Sequence, residues 1–210
     1  MRYWYFAATL PGFLFSSPPP MKESEFLTRC QRYMEKEDYA ELEASDSLVT
    51  ADELPATFRS PLLRKYLLWE RSLRNELSIL RARDPELLRR AGLAGRPEDA
   101  YVRPCESSLP EAQSLMERAR LSAVRCFAVQ DPLLAEQALE RERWDIVDEL
   151  SIASSFDLDF IVAYHIKLGI VGRLARFDQN LGMASYGRLY NDILGRAPGT
   201  VKIASSGDIA

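Results

Sequence analysis

The residues able to do chemistry in this 210-residue chain are few and scattered: one histidine, His165, and three cysteines, Cys30, Cys105 and Cys126. Zinc and other transition-metal centres usually draw several ligands from closely spaced Cys and His. Here the thiols lie far apart, without a C-x-x-C pair, and their number is odd. That pattern predicts reduced, buried thiols rather than a disulfide or zinc framework. A di-iron bundle needs two Glu-x-x-His motifs, and the chain has none. Nucleophilic catalysis of the Ser-His-Asp kind needs an imidazole held by a carboxylate. No acid stands three or four residues from His165, so a structural role is expected for it. There is neither a Walker loop nor a G-x-G-x-x-G fingerprint. The close acids Asp145, Asp148 and Glu149, and Asp157 with Asp159, read as helix starts and solvated faces rather than acid–base pairs. Lys167 stands among apolar neighbours. Its stem is expected along the core with the ammonium reaching water or an acid. The sequence therefore predicts no catalytic, cofactor-binding or metal-binding residue.

The elements that carry these residues read as helices. Phe156 to Asp178 is the longest apolar stretch. Phe160, Ile161, Tyr164, Lys167, Leu168, Val171 and Leu174 fall at helical steps, with Ile166, Ile170 and Phe177 in a second row. A helix apolar on more than one side is buried on more than one side. Asp157 is placed to cap it. Pro61 opens a second long helix, residues 61–83, with Leu62, Leu63, Tyr66, Trp69, Leu73, Leu77 and Leu80 as its stripe. Glu70 and Arg74 stand four apart on it, the favourable acid-then-base order. Further helices are expected over 22–37, over 110–129, and from Asp131-Pro132 to about Leu150. The acidic piece after residue 37 is left outside any helix, and Thr50 to Glu53 has capping-box spacing. Short helices are expected after Asp84-Pro85 and near Ser185 to Leu194. The aromatic start, residues 3–10, is either a short buried strand or the first turns of a buried helix that docks onto later helices.

The resulting class is all-α, a multi-helix bundle with little or no sheet. The expected organisation is one domain over residues 1–194, with possible halves at 1–108 and 109–194, and a flexible Gly/Pro/Ser-rich tail over 195–210. Two loose internal copies stand out. Asp-Pro opens a Leu-Leu helix at Asp84 and again at Asp131, and two helices end alike at Leu80–Asp84 and Leu174–Asp178. The echo is either a remnant of stacked helical units or coincidence among Leu/Arg/Ala-rich helices.

Charge is uneven. Residues 1–60 hold 6 Lys/Arg against 10 Asp/Glu, residues 61–130 hold 13 against 9, and residues 131–210 hold 8 against 12. The −4, +4, −4 pattern is too weak for a nucleic-acid footprint and suits a protein partner with charged surfaces. No segment reaches the ~18 apolar residues of a membrane span. The N-terminal apolar run is broken by Pro11-Gly12 and lacks an A-x-A site, so it reads as mature structure rather than a signal peptide.

Three pieces in order, Tyr3-Trp4-Tyr5-Phe6-Ala7-Ala8-Thr9-Leu10-Pro11, Trp69 to Leu77, and Trp144 to Leu150 running on to Phe156–Tyr164, resemble an uncharacterised bacterial family described as V-type ATPase C-subunit-like. That family is associated with bacterial V/A-type ATPases, notably in Bacteroidetes. The resemblance spans nearly the whole chain except the tail. It implies a non-catalytic, all-helical protein of repeated three-helix units that joins the central rotor stalk to the membrane proteolipid ring. It would be cytoplasmic, peripheral to the inner membrane, and without a cofactor. On this resemblance Trp69, Glu70, Arg74, Glu76, Tyr164, Lys167 and Arg173 fall on long inner helices and are candidate partner-binding residues. The chain is shorter than the family's full-length C-type proteins, which puts closure of the full funnel in question. The second reading is a free-standing helical adaptor that binds another protein.

Overall fold

The computed structural model describes residues 2–84 and 112–176. The expected short helices after Asp84 and near Ser185, the loop leading to the 110–129 helix, Cys105 and the C-terminal tail lie outside these residues. The chain divides into Met1–Leu174 and Ala175–Ala210, and every helix described here belongs to the first unit.

Seven helices and no strand occur among the described residues: α1 (Trp4–Ala8), α2 (Glu23–Tyr33), α3 (Lys36–Thr50), α4 (Pro61–Arg83), α5 (Ala112–Phe127), α6 (Pro132–Ser151) and α7 (Leu158–Leu174). The fold is all-α. Local chemistry explains several of the helix starts. Pro61 and Pro132 each occupy the first turn, where a missing N–H costs nothing. Ser60 accepts from the Leu63 N–H at 3.0 Å, and Asp131 accepts from Leu134 at 2.9 Å. Asp157 caps α7 as expected, accepting from the Phe160 N–H at 3.1 Å.

Two expectations fail. The acidic piece after residue 37 is helical, and it forms most of α3. Its buried positions are Asp38, Leu42 and Ser45, four and then three apart. The spacing is helical, but two of the three residues are polar, so no hydrophobic stripe announces it. The apparent capping box at Thr50 is not a helix start. Thr50 ends α3, its hydroxyl donating back to the Ser47 carbonyl at 3.2 Å. The reason is Arg71. This buried guanidinium donates to the carbonyls of Leu48, Ala51 and Asp52, filling the acceptors that the end of α3 leaves open. A cation there also complements the negative end of the helix.

The core is one cluster in which α4 and α7 are the two struts. α4 packs against α3, α5, α6 and α7, and α7 packs against α2, α3, α4 and α6. Twelve of the 23 residues of α4 are buried, so it is enclosed on nearly every side. α7 buries eight of 17. Cys30 and Cys126 are buried free thiols, and burial pushes them up to about 12 and about 11, which keeps both protonated and unreactive.

The N-terminal segment closes over this frame. Tyr3, Phe6 and Ala7 are buried, and Phe6 stacks on Phe26 at 6.4 Å. The backbone N–H of Tyr3 donates to the Phe156 carbonyl at 3.0 Å. Phe156 adopts φ 58°, a left-handed conformation that disfavours a bulky side chain. Phe13 and Phe15 meet Trp144 edge-on at 5.8 and 5.7 Å, and the Tyr164 hydroxyl donates to the Pro11 carbonyl at 3.0 Å. Asp38 ties the segment down from α3. It accepts from the Tyr3 hydroxyl and from Arg59 Nε, with Arg2 at 3.4 Å.

Burial alone would raise the Asp38 carboxyl. The hydrogen bonds from Tyr3 and Arg59 and the charges of Arg59 and Arg2 outweigh it, so the group sits below its ordinary value. A carboxyl that binds its proton more weakly when folded stabilises the fold above the unfolded-chain value and loses that contribution as pH falls through the folded one. Thermal stability is therefore expected to decline once pH drops below about 4. Asp38→Asn is expected to destabilise the chain by about 1–3 kcal/mol at pH 7 and to flatten part of the acid dependence. Melting curves from pH 3 to 7 check this; an unchanged acid limb would remove Asp38 from the account.

Candidate functional site

Three features concentrate polar or exposed aromatic groups. The first is an ion network across α4, α6 and α7. Glu70 is 1% exposed and Glu140 3% exposed. Arg143 forks onto Glu70, Nε and Nη2 each donating at 3.0 Å to separate oxygens, and donates from Nη1 to Glu140 at 3.2 Å. Arg74 donates to Glu70 at 2.7 Å, as the four-residue spacing predicts. Arg173 reaches Glu140 with Nε and Nη2 at 2.8 and 2.9 Å. Burial would raise the Glu70 carboxyl, but the adjacent charge and forked hydrogen bonds of Arg143, helped by Arg74, hold it below the usual range. Two buried carboxylates and three guanidiniums thus satisfy one another. The arrangement braces helices and leaves no vacant acid or base for catalysis.

The second feature surrounds His165, which is 3% exposed and stacks on Phe26 at 5.6 Å. Its Nδ1 lies 3.3 Å from Ser45 Oγ and its Nε2 3.1 Å from Glu23 Oε1. Asp46 completes the group: one ligand atom from each of Glu23, Asp46 and His165 lies within 4.8 Å of the others. Helices α2, α3 and α7 each contribute one member. The Glu23 carboxyl sits below its ordinary value, chiefly because His165 hydrogen-bonds it, with burial opposing and Asp46 and Arg173 adding to the lowering. The histidine is thus held by a carboxylate after all, one supplied from 142 residues away rather than from its own helix. Serine, histidine and glutamate in contact resemble a nucleophile relay, but Ser45 is 3% exposed, so its hydroxyl has no face open to a substrate.

The third feature is α1 itself. Trp4 and Tyr5 are 61% and 62% exposed and pack edge to face at 5.9 Å, while their neighbours Tyr3, Phe6 and Ala7 are buried. Phe156, 42% exposed, lies beside the foot of α1 through the Tyr3 hydrogen bond.

The residues singled out from the sequence fall into two groups. Trp69 and Glu70 are enclosed, and Tyr164 is 8% exposed, so all three face the chain's own interior. Arg74, Glu76 and Lys167 are half-buried, and Arg173 is exposed. The structure brings Glu70, Arg74 and Arg173 into the single ion network. It sets Lys167 apart, pairing with Asp148 and lying 5.2 Å over the Trp144 ring. Sequence reasoning does not single out Glu23, Asp46, Glu140 or Arg143. Their partners are distant in sequence, and no local spacing marks them.

No family model, curated protein or solved structure matches this chain.

Proposed function

We propose that this chain is a non-catalytic, C-subunit-like component of a bacterial V/A-type rotary ATPase, linking the central rotor stalk to the membrane proteolipid ring. The observation that carries the proposal is the exposed aromatic pair on α1. Trp4 and Tyr5 belong to the Tyr3–Pro11 stretch on which the resemblance rests, and they stand in solvent while Tyr3, Phe6 and Ala7 anchor the segment. Exposed Trp and Tyr on a rigid mount are what protein interfaces use as anchors. A coupling part also needs stiff helices, which the buried ion network and the two enclosed struts supply. No helix among the described residues is long and apolar enough to cross a membrane, so contact with the ring would be made from its rim.

The test is co-purification of the tagged protein with the rotor-stalk and proteolipid components. The wild type is expected to retain them. The double variant Trp4→Ala/Tyr5→Ala is expected to keep its helical circular dichroism and its melting temperature, because both side chains are exposed. Its partner affinity should fall by at least about 30-fold, the loss of one interface anchor. Failure of the wild type to co-purify, together with full assembly of the ATPase in a deletion strain, would sink the proposal.

A further inference from the structure

The His165 group does more than fill space. Its imidazole is only 3% exposed, yet Nε2 points toward the two carboxylates, which reach solvent; the Glu23 side chain is 42% exposed. Ser45 occupies the opposite ring nitrogen from within the core. Metal-binding histidines are characteristically arranged this way, with one nitrogen fixed by a hydrogen bond from behind and the other presented forward. Three helices deliver one donor each, so the spacing belongs to the packed fold and not to one exposed loop.

The distances also fit. In a tetrahedral site with Zn–N and Zn–O bonds near 2.0–2.1 Å, neighbouring ligand atoms stand roughly 3.3 Å apart. Nε2 and Glu23 Oε1 are 3.1 Å apart, and all three donor atoms lie within 4.8 Å. A cation could take the place of the shared proton with displacements of a few tenths of an ångström at that pair, while Asp46 closes in from the solvent side. The charge balance favours it as well. Glu23 and Asp46 together carry −2, the imidazole is neutral as a ligand, and the cation acting on Glu23, Arg173, is committed to Glu140.

We propose that Glu23, Asp46 and His165 form a binding site for one divalent transition-metal ion of the zinc type, with Ser45 setting the imidazole tautomer and water completing the coordination on the open side. Imidazole with two carboxylates suits zinc or a neighbouring first-row metal better than magnesium or calcium, which prefer oxygen alone. Binding exchanges a proton for the metal: the Nε2–H that hydrogen-bonds Glu23 is released to solvent, Nε2 donates its lone pair to the ion, and Nδ1–H donates to Ser45 Oγ. The ion would tie α2, α3 and α7 together along the α7 strut. Because it must displace a proton, its affinity is expected to fall as pH is lowered.

A single histidine in the chain makes the test direct. The full-length protein, stripped with chelator, is titrated with zinc chloride while nitrogen-15 spectra of the imidazole are recorded. The expected result is saturation at one ion per chain, with Nε2 moving to a metal-bound shift and Nδ1 remaining protonated. Melting temperature should rise with zinc in the wild type. His165→Gln and Asp46→Asn should each lower the affinity at least about 10-fold, the usual scale for loss of even an outer partner. Asp46→Asn is the safer variant for folding, since Asp46 is exposed. If Nε2 keeps its proton through the titration, or if zinc binds the Asp46 variant as tightly as the wild type, the group is a hydrogen-bonded cluster only and the proposal is overturned. Neither outcome bears on the partner-binding proposal, which rests on α1.

Discussion

Arg143→Ala is expected to lower stability by about 3–5 kcal/mol, the range found when one partner of a buried ion pair is removed. The reason is what remains. Glu70 and Glu140, each almost wholly buried, lose the one guanidinium that bridges them. Arg74 and Arg173 still touch them, but these two are 40% and 46% exposed, so their charges are partly screened by solvent. Their residual help should place the loss toward the lower end of the range. Urea unfolding followed by far-ultraviolet circular dichroism measures it. A companion variant separates charge from packing: Glu70→Leu with Arg143→Met removes the bridge in apolar fashion and should recover most of the loss, since apolar replacement of a buried ion pair is often neutral. A loss under about 1 kcal/mol for Arg143→Ala, the scale of an exposed pair, would mean that the network does not brace the bundle.

Trp69→Ala is expected to be at least as damaging, at about 3–5 kcal/mol, because it empties an indole-sized volume in the middle of α4. Trp69 is fully buried beside Tyr66, ring centres 6.2 Å apart, on a helix that packs against four others. Trp69→Phe should behave differently. The indole Nε1–H is buried without a hydrogen-bond partner. Removing that polar group recovers part of a desolvation cost of about 1–3 kcal/mol, set against the smaller ring. The net change should stay within about 1 kcal/mol of the wild type. The two chemical-unfolding midpoints distinguish these outcomes: equal damage from Phe and Ala would mean that the indole N–H is not a liability.

The legible parts of the fold are those written locally. Pro61, the Asp131-Pro132 pair and Asp157 mark helix starts within one turn, and α4 and α7 carry enough apolar residues in register to declare themselves. The Glu70–Arg74 pair and the Lys167 geometry follow from spacing and side-chain length. α3 escapes because two of its three buried positions are Asp38 and Ser45, whose burial makes sense only once Tyr3, Arg59 and His165 arrive from elsewhere. Thr50 misleads because a four-residue pattern takes no account of Arg71, which closes the preceding helix. The candidate sites are almost wholly tertiary. Glu70 meets Arg143 across 73 positions and His165 meets Ser45 across 120. Periodicity reports which face of a helix turns inward, and it carries no information on which distant side chain waits there.

The closure of the N-terminal segment has a consequence for synthesis. Tyr3 is secured by the carbonyl of Phe156, and Pro11 by Tyr164, 153 residues further along. During translation the first dozen residues emerge long before the helix that receives them exists. They must wait on the ribosome until α7 has cleared the exit tunnel, with Trp4, Tyr5 and Phe6 all uncovered meanwhile. The last step of folding is then the docking of the first residues onto the last helix of the bundle. The aromatic pair takes its final exposed orientation only after every helix beneath it is in place.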